Sequence, residues 1–468
     1  MQLFGREQIF SDVEAVSASN VLEVLNSAKV IHERNRNAID YLYKYYKGDQ
    51  PVLLRKKTVR PEICNKIVEN HANEIVSFKT GYLCGEPIQY ISVSTEKDVC
   101  SAVAWLNDQM RAQSKASKDK ALVEWQMIAG TSYRAVLVPQ SDTPFEIITL
   151  DPRQAFVIRS TKIGNPVIAG VFCAEDTKNV KTYSVYTDKE FFEIKNGEIK
   201  KSETHLLGRV PIVEYPANSA RIGAFETVIT ILDAINTLES NRVDGVEQFV
   251  QSLMKFVNCE IDKDSFAELQ QLGAIMIKSS NGVAADVELM TSELNQDQTQ
   301  TFIDHLHQTY LDICGMPNRN GKGSSTSDTG AATLIRDGWS DASARAKDSE
   351  TIFKESENEL LKIVLPLCSS LGGKELKLTD IDVRFTRRDY ENIQTKAQVL
   401  CEMLNNPKID PRLAFTHCGL FSDAEEAYRI SMEWYEKNKL DGETREDKVG
   451  DDQKAQAGRE AGVQTSQN

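Results

Sequence analysis

The chain has 468 residues, of which 41% are hydrophobic, enough for two to four packing units with real cores. Against 55 basic residues stand 69 acidic ones, a formal net charge of -14. That balance argues against tight, static gripping of nucleic acid, which needs a basic face, but not against passing contact.

The nine cysteines form no CxxC pair, so reduced thiols in a cytoplasmic protein are expected. The N-terminus lacks a basic flank followed by an apolar run, and no signal peptide is expected. No stretch of about 18 apolar residues occurs, and no membrane span is expected.

In chain order, residues 20–47 read as an amphipathic helix that opens after Ser19 and stops at Gly48. A second helix is expected from Pro61, with Ile63, Ile67, Ile75 and Phe78 on one side and Gly81 as its cap. GYLCGEPIQYISV turns into a strand, and helices follow at about 96–110 and 117–129, the latter ended by Gly130. Residues 131–215 carry recurrent β-rich runs, and Asn196-Gly197 signals a hairpin.

A long helix is expected from Phe225 to Val257, with Phe225, Val228, Ile229, Leu232, Ile235, Val246, Val250, Leu253 and Val257 as its stripe. At 1.5 Å per residue it would span roughly 50 Å, more than the ~30 Å width of a small domain. Its exposed face is expected to carry Glu226, Asp233, Glu239, Asp244 and Glu247 against Arg242 and Lys255. SFAELQQLG then reads as a short helix, with AIMIKS and DVELMT as strands. A further helix over about 296–314 places Phe302, Ile303, Leu306, Tyr310 and Ile313 inward. A Gly/Ser-rich loop leads into a very long helix, about 331–371, which Pro366 should kink or end early. The strand DVRFTR, a helical region over about 391–437 and a polar, disordered tail complete the chain.

The loop GMPNRNGKGSSTSDTG invites a phosphate-binding reading, which its spacing refuses. A P-loop needs glycine five residues before Gly321, where Met316 stands, and a hydroxyl after Lys322, where Gly323 stands. The element before the loop is helical, which also removes the dinucleotide fingerprint. His305 and His307, two apart on a helix, face different ways and do not readily share a metal; surface or partly packed histidines are expected. No nucleophile elbow, metalloprotease motif or cysteine ligand spacing is present, so neither catalytic residues, metal nor cofactor are expected.

The order of parts is informative: helices, a β-rich block, a long helix, a small αββ insertion, a helix, a Gly/Ser loop, a very long helix with a late proline and a helical end. It resembles the portal proteins of long-tailed double-stranded DNA bacteriophages. HERNRNAIDYLYKYYKGDQP looks like the family's N-terminal helix with its Tyr-rich, glycine-stopped end. NKIVENHANEIVSFKTGYLCGEPIQY looks like its helix and GY-x-x-G-x-P turn. LESNRVDGVEQFVQSLMKFVN is similar to its long helix, and the GMP after Cys314 fits a helix end. The resemblance spans about residues 20–435.

The resemblance implies an α+β portal fold, ring-forming and usually dodecameric, at one capsid vertex of the virion, assembled in the host cytoplasm. Residues 1–224 would be the wing, 225–257 and 293–315 the stem helices, and 258–292 the clip. Residues 316–330 would be the tunnel loop, 331–390 the long kinked helix and a wing strand, 391–437 the crown and 438–468 a disordered tail. Asn318, Arg319, Asn320 and Lys322 would meet DNA in the channel, with Glu239, Asp244 and Glu247 facing it from the stem. Phe266, Leu269, Lys278, Asn281 and Glu288 would serve docking at the clip. Implied partners are copies of the chain, double-stranded DNA, the terminase large subunit, a head-completion adaptor, and major capsid and scaffolding proteins. The competing readings are a helical scaffold or adaptor without a channel, and an enzyme using the 315–330 loop.

Overall fold

A computed structural model describes residues 5–58, 60–138, 143–250, 253–257, 286–290, 296–318, 338–370, 375–386, 393–421 and 424–438. The chain divides into two compact units, residues 1–85 with 108–378, and residues 86–107 with 379–468.

In the first unit, helix α1 (Val21–Tyr46) ends before Gly48, whose positive φ of 96° suits glycine. Its buried stripe of Val21, Val24, Leu25 and Ala28 packs on a six-stranded sheet through Phe156, Ile158, Val171, Val185 and Phe192. That sheet contains β1 (Phe10–Ser11), β5 (Ala155–Ser160), β6 (Val167–Glu175), β7 (Lys181–Tyr186), β8 (Glu190–Lys195) and β9 (Glu198–Thr204), in that spatial order. Only the short β1–β5 pair is parallel. Between β8 and β9 the expected hairpin is present: Asn196 and Gly197 both have positive φ, 54° and 79°, and Lys195 pairs with Glu198.

A second sheet orders β10 (Ile212–Pro216), β3 (Thr131–Leu137) and β4 (Glu146–Leu150), with β3 central. Helix α4 (Lys115–Ala129) leads into it through Gly130, as expected. A Cβ there would stand 2.0 Å from the Arg221 carbonyl oxygen, and φ is 77°, so the position excludes side chains. Under this sheet lies a buried ionic cluster. Lys115 pairs with Asp119 at 2.6 Å and Glu357 at 2.9 Å, and Arg134 pairs with Asp119 at 2.6 Å. The Tyr215 hydroxyl donates to Glu357 at 2.6 Å. Glu357 belongs to a helix over Trp339–Ser370, so this cluster ties that helix to the β-rich block. Pro366 sits inside the helix, which continues four residues beyond it rather than ending there.

Helix α2 is His71–Cys84, not a helix from Pro61. Gly81 lies within it, and the Asn70 side chain caps its start by accepting from the Asn73 N–H at 3.3 Å. Residues 64–70 are irregular. The long helix α5 is Ile229–Val250, preceded by a 3-10 turn at Glu226–Val228. Its ~33 Å length falls short of the expected span. Leu253–Val257, expected to be its last turns, is instead strand β11, paired antiparallel with β12 (Asp286–Met290). AIMIKS and the rest of 258–285 lie outside the described residues, as does the 439–468 tail.

In the second unit, β2 (Gln89–Ser92) pairs antiparallel with β13 (Ile381–Arg384). The Asn107 side chain bonds both the N–H and the carbonyl of Tyr90, at 3.1 and 2.7 Å. Asn107 lies on α3 (Lys97–Ala112). Helices Ile393–Leu404 and Pro411–His417 and the helical residues 424–438 gather around Leu400, Phe415, Cys418 and Tyr428, giving the region expected at 391–437 a small core of its own.

Candidate functional site

One side of α5 that reads as a solvated acidic face is occupied by the chain itself. Asn236, Ser240 and Asp244 fall at i, i+4 and i+8, so they share one face. All three are buried. The Glu69 N–H donates to Asn236 Oδ1 at 2.8 Å, Ile67 N–H to Ser240 Oγ at 3.0 Å and Asn65 N–H to Asp244 Oδ1 at 2.7 Å. The match is geometric. Four helical residues advance about 6 Å, and two extended residues about 6.6 Å, so alternate backbone N–H groups meet successive helical turns. Because α5 satisfies these donors, residues 64–70 have no need of a helix, which is why α2 starts at His71 rather than Pro61.

Asp244 is the anchor of this ladder, not an exposed channel-facing carboxylate. Arg55 lies 2.8 Å and Lys57 3.0 Å from Oδ2, and Asn65 Nδ2 donates to Oδ1 at 3.0 Å. Burial opposes the charged form, but these donors outweigh it and hold the carboxyl down at about 2. Glu226 also leaves the expected exposed face: it is buried and bound by Arg6 at 2.6 Å. Asp233 is half-buried and accepts from the Tyr45 hydroxyl at 2.9 Å. Of the three stem candidates, Glu247 is exposed, and Glu239 is partly covered and paired with Arg242 at 2.9 Å. The stripe also needs correction at Val246, which is 53% exposed.

Helix α6 (Gln296–Cys314) runs beside α5 and leads into the glycine-rich loop. Ile303 and Tyr310 are buried as expected, but Phe302 (52%) and Ile313 (44%) are exposed. The helix ends in a Schellman motif: Gly315 N–H bonds the Asp312 carbonyl at 3.1 Å, and Met316 N–H bonds that of Leu311 at 2.9 Å. Gly315 has φ 63°, and Met316 is buried. Arg345, on α7 (Trp339–Ser370), donates to the Ile313 carbonyl at 2.7 Å. A Cβ on Gly315 would come within 2.3 Å of the Arg345 side chain. Asn318, expected in the tunnel loop, donates from its amide to Gln308 on α6. Arg319, Asn320 and Lys322 lie outside the described residues.

His307, on α6, meets residues that sequence reasoning did not connect with it. His71 Nε2 is 2.8 Å from Glu69 Oε2, and its Nδ1 is 2.9 Å from Glu74 Oε2. Burial alone would lower its pKa, but the two carboxylates raise it to about 9. His307 stands edge-on to the His71 ring, centroids 4.7 Å apart, and the Tyr310 hydroxyl donates to Glu74 at 3.2 Å. The i, i+3 spacing of His307 and Tyr310 was the one available signal, and it says only that both share a face.

Phe266, Leu269, Lys278 and Asn281 lie outside the described residues, and Glu288 is placed only by its backbone, opposite Lys255 in the β11–β12 pair. Among the described residues no helix is long and apolar enough to cross a membrane.

The chain matches a family described as phage portal protein, SPP1 Gp6-like, over residues 26–441. Comparison with curated proteins gives no match. Among solved structures, a chain from the neck of an empty GTA particle computed with C6 symmetry is similar at 10% identity. That likeness covers 75% of this chain and 90% of the other, with a TM-score of 0.42.

Proposed function

Because this chain belongs to the SPP1 Gp6-like phage portal protein family, we propose that its copies assemble into a ring, a dodecamer, at one vertex of a phage capsid. Double-stranded DNA enters and leaves through the central channel. The ring carries the terminase during packaging and a head-completion adaptor afterwards, and it contacts the major capsid and scaffolding proteins during assembly. The family is a structural one, so in this reading the packaging ATPase is a separate protein.

The observation that carries the proposal is the family match across 416 residues, 26–441. Two features of the α5–α6 pair support it. Val246, Phe302 and Ile313 expose large apolar surface in the single chain, as expected of side chains that a neighbouring copy covers. Glu247 contributes negative charge to the same pair, and a channel through which DNA slides must avoid neutralising many phosphates at once, since each contact strengthens the hold. Arg319 and Lys322 then supply a few transient cationic contacts from the loop after α6, and Glu239 and Glu247 face the channel. The clip residues Phe266, Leu269, Lys278, Asn281 and Glu288 form the docking surface.

Electron microscopy of the purified protein tests the ring directly: closed rings with a central channel are expected, and only monomers or dimers at high concentration would sink the proposal. In particles carrying both Arg319→Ala and Lys322→Ala, rings should persist while the amount of packaged or retained DNA changes. Unchanged DNA content would remove these two side chains from the channel role.

A further inference from the structure

Three donor groups from two distant parts of the chain converge beside α6. Glu69 lies near the end of the irregular segment, His71 opens α2, and His307 projects from α6. Their donor atoms all lie within 4.8 Å of one another. Glu69 Oε2 is 2.8 Å from His71 Nε2 and 3.6 Å from His307 Nε2. We propose that this cluster binds a divalent transition-metal ion of the zinc class through Glu69 Oε2, His71 Nε2 and His307 Nε2, with water completing the coordination.

The two separations that Glu69 makes fit with small adjustments. Tetrahedral ligands on bonds of 2.0–2.1 Å stand about 3.3 Å apart, between the two separations that Glu69 makes. Two imidazoles and one carboxylate suit zinc, cobalt, nickel or copper rather than calcium or magnesium, which take oxygen shells. The surroundings supply what a metal-bound imidazole needs. With the ion on Nε2, His71 keeps its proton on Nδ1 and donates it to Glu74 Oε2, 2.9 Å away. Glu74 in turn accepts from the Tyr310 hydroxyl. A carboxylate on the far nitrogen fixes the ring and makes it a better ligand. The backbone of Glu69 is pinned independently, by its N–H to Asn236.

Loading involves no oxidation or reduction. The ion takes the place of the proton on His71 Nε2, which passes to solvent, and coordinates the neutral His307 and ionised Glu69. The bound ion fastens the segment before α2 to α6.

The test uses full-length assembled protein, stripped with a chelator and titrated with cobalt(II) chloride by visible spectroscopy and zinc chloride by calorimetry. One equivalent per chain is expected, with the cobalt bands of nitrogen and oxygen ligands and no thiolate charge-transfer band. His307→Gln and Glu69→Gln should weaken zinc binding by about 100-fold or more, and Glu74→Gln by about 10–100-fold. His305→Ala, an exposed neighbour on α6, should bind as the unaltered protein does. An unchanged metal-free melting profile in His307→Gln shows that the loss is of a ligand and not of the fold. No saturable binding, a thiolate band, or full affinity in a folded His307→Gln overturns the site. Should that variant fail to fold, the stoichiometry and spectrum of the unaltered protein decide alone.

Discussion

Asp244 and His32 are both buried and both ionisable, yet Asp244 is held charged and His32 neutral. The difference lies in their partners. Asp244 has two cations, Arg55 and Lys57, and two N–H contacts from Asn65, whereas His32 stacks on Phe156 at 4.3 Å and bonds through Nε2 to the Arg153 carbonyl at 3.2 Å. Burial therefore dominates and pushes the His32 pKa down to about 4, with the Arg153 carbonyl opposing it. Between its ordinary value of 6.5 and about 4, the unfolded chain binds a proton that the folded chain refuses. Stability contributed by this site is complete above pH 6.5, falls through that window and is lost below pH 4. The total is about 3 kcal/mol, one pKa unit being worth about 1.4 kcal/mol. Denaturant unfolding of His32→Gln at several pH values should show a shallower decline from pH 6.5 to 4 than the unaltered chain. Parallel curves would remove His32 as the source.

The end of α6 shows how an element's boundary is built from both sides. Locally, Gly315 permits the left-handed turn and Met316 closes the Schellman bond. From outside, Arg345 of α7 satisfies the Ile313 carbonyl, and its side chain fills the space where a Cβ would stand. Gly315→Ala meets both constraints at once: left-handed strain of about 1–2 kcal/mol and displacement of Arg345. The expected loss is about 2–3 kcal/mol, with faster hydrogen exchange of the Met316 amide and the last turn of α6. Unchanged protection of that amide would show that the turn tolerates a side chain. The neighbouring ladder on α5 follows the same logic, since its partners decide where α2 begins. GMP, read as a helix end, is one: glycine turns the chain, methionine is buried, and proline follows.

For the whole molecule, the pairing of α5 with α6 leaves apolar side chains at the surface of the single chain, Phe302 and Ile313 among them. In the ring proposed above, a neighbouring copy covers them. Phe302→Asp together with Ile313→Asp should therefore reduce the fraction of rings by native mass measurement. The isolated chain should change by no more than about 0.5 kcal/mol, because exposed positions contribute little to its own stability. Intact rings in the double variant would place the subunit interface elsewhere. The ionic cluster of Lys115, Asp119, Arg134 and Glu357 is the opposite case, buried within one chain.

Much of the architecture was legible in the sequence because its signals are local. A 3.6-residue stripe gave α1 and α6; Asn196-Gly197 gave the hairpin; Gly130 and Gly315 gave helix ends; and the order of these parts gave the portal family. The start of α2, the strand at Leu253–Val257 and the fate of the α5 polar face were not legible. Asn236, Ser240 and Asp244 look the same in sequence whether they face water or accept backbone N–H groups. Their actual donors stand 167, 173 and 179 residues away. The convergence of His307 on Glu69 and His71 is of the same kind. Sequence periodicity determined which residues could form each element, whereas only the tertiary structure decided which polar groups are buried together, because hydrogen bonding depends on distance in space and not along the chain.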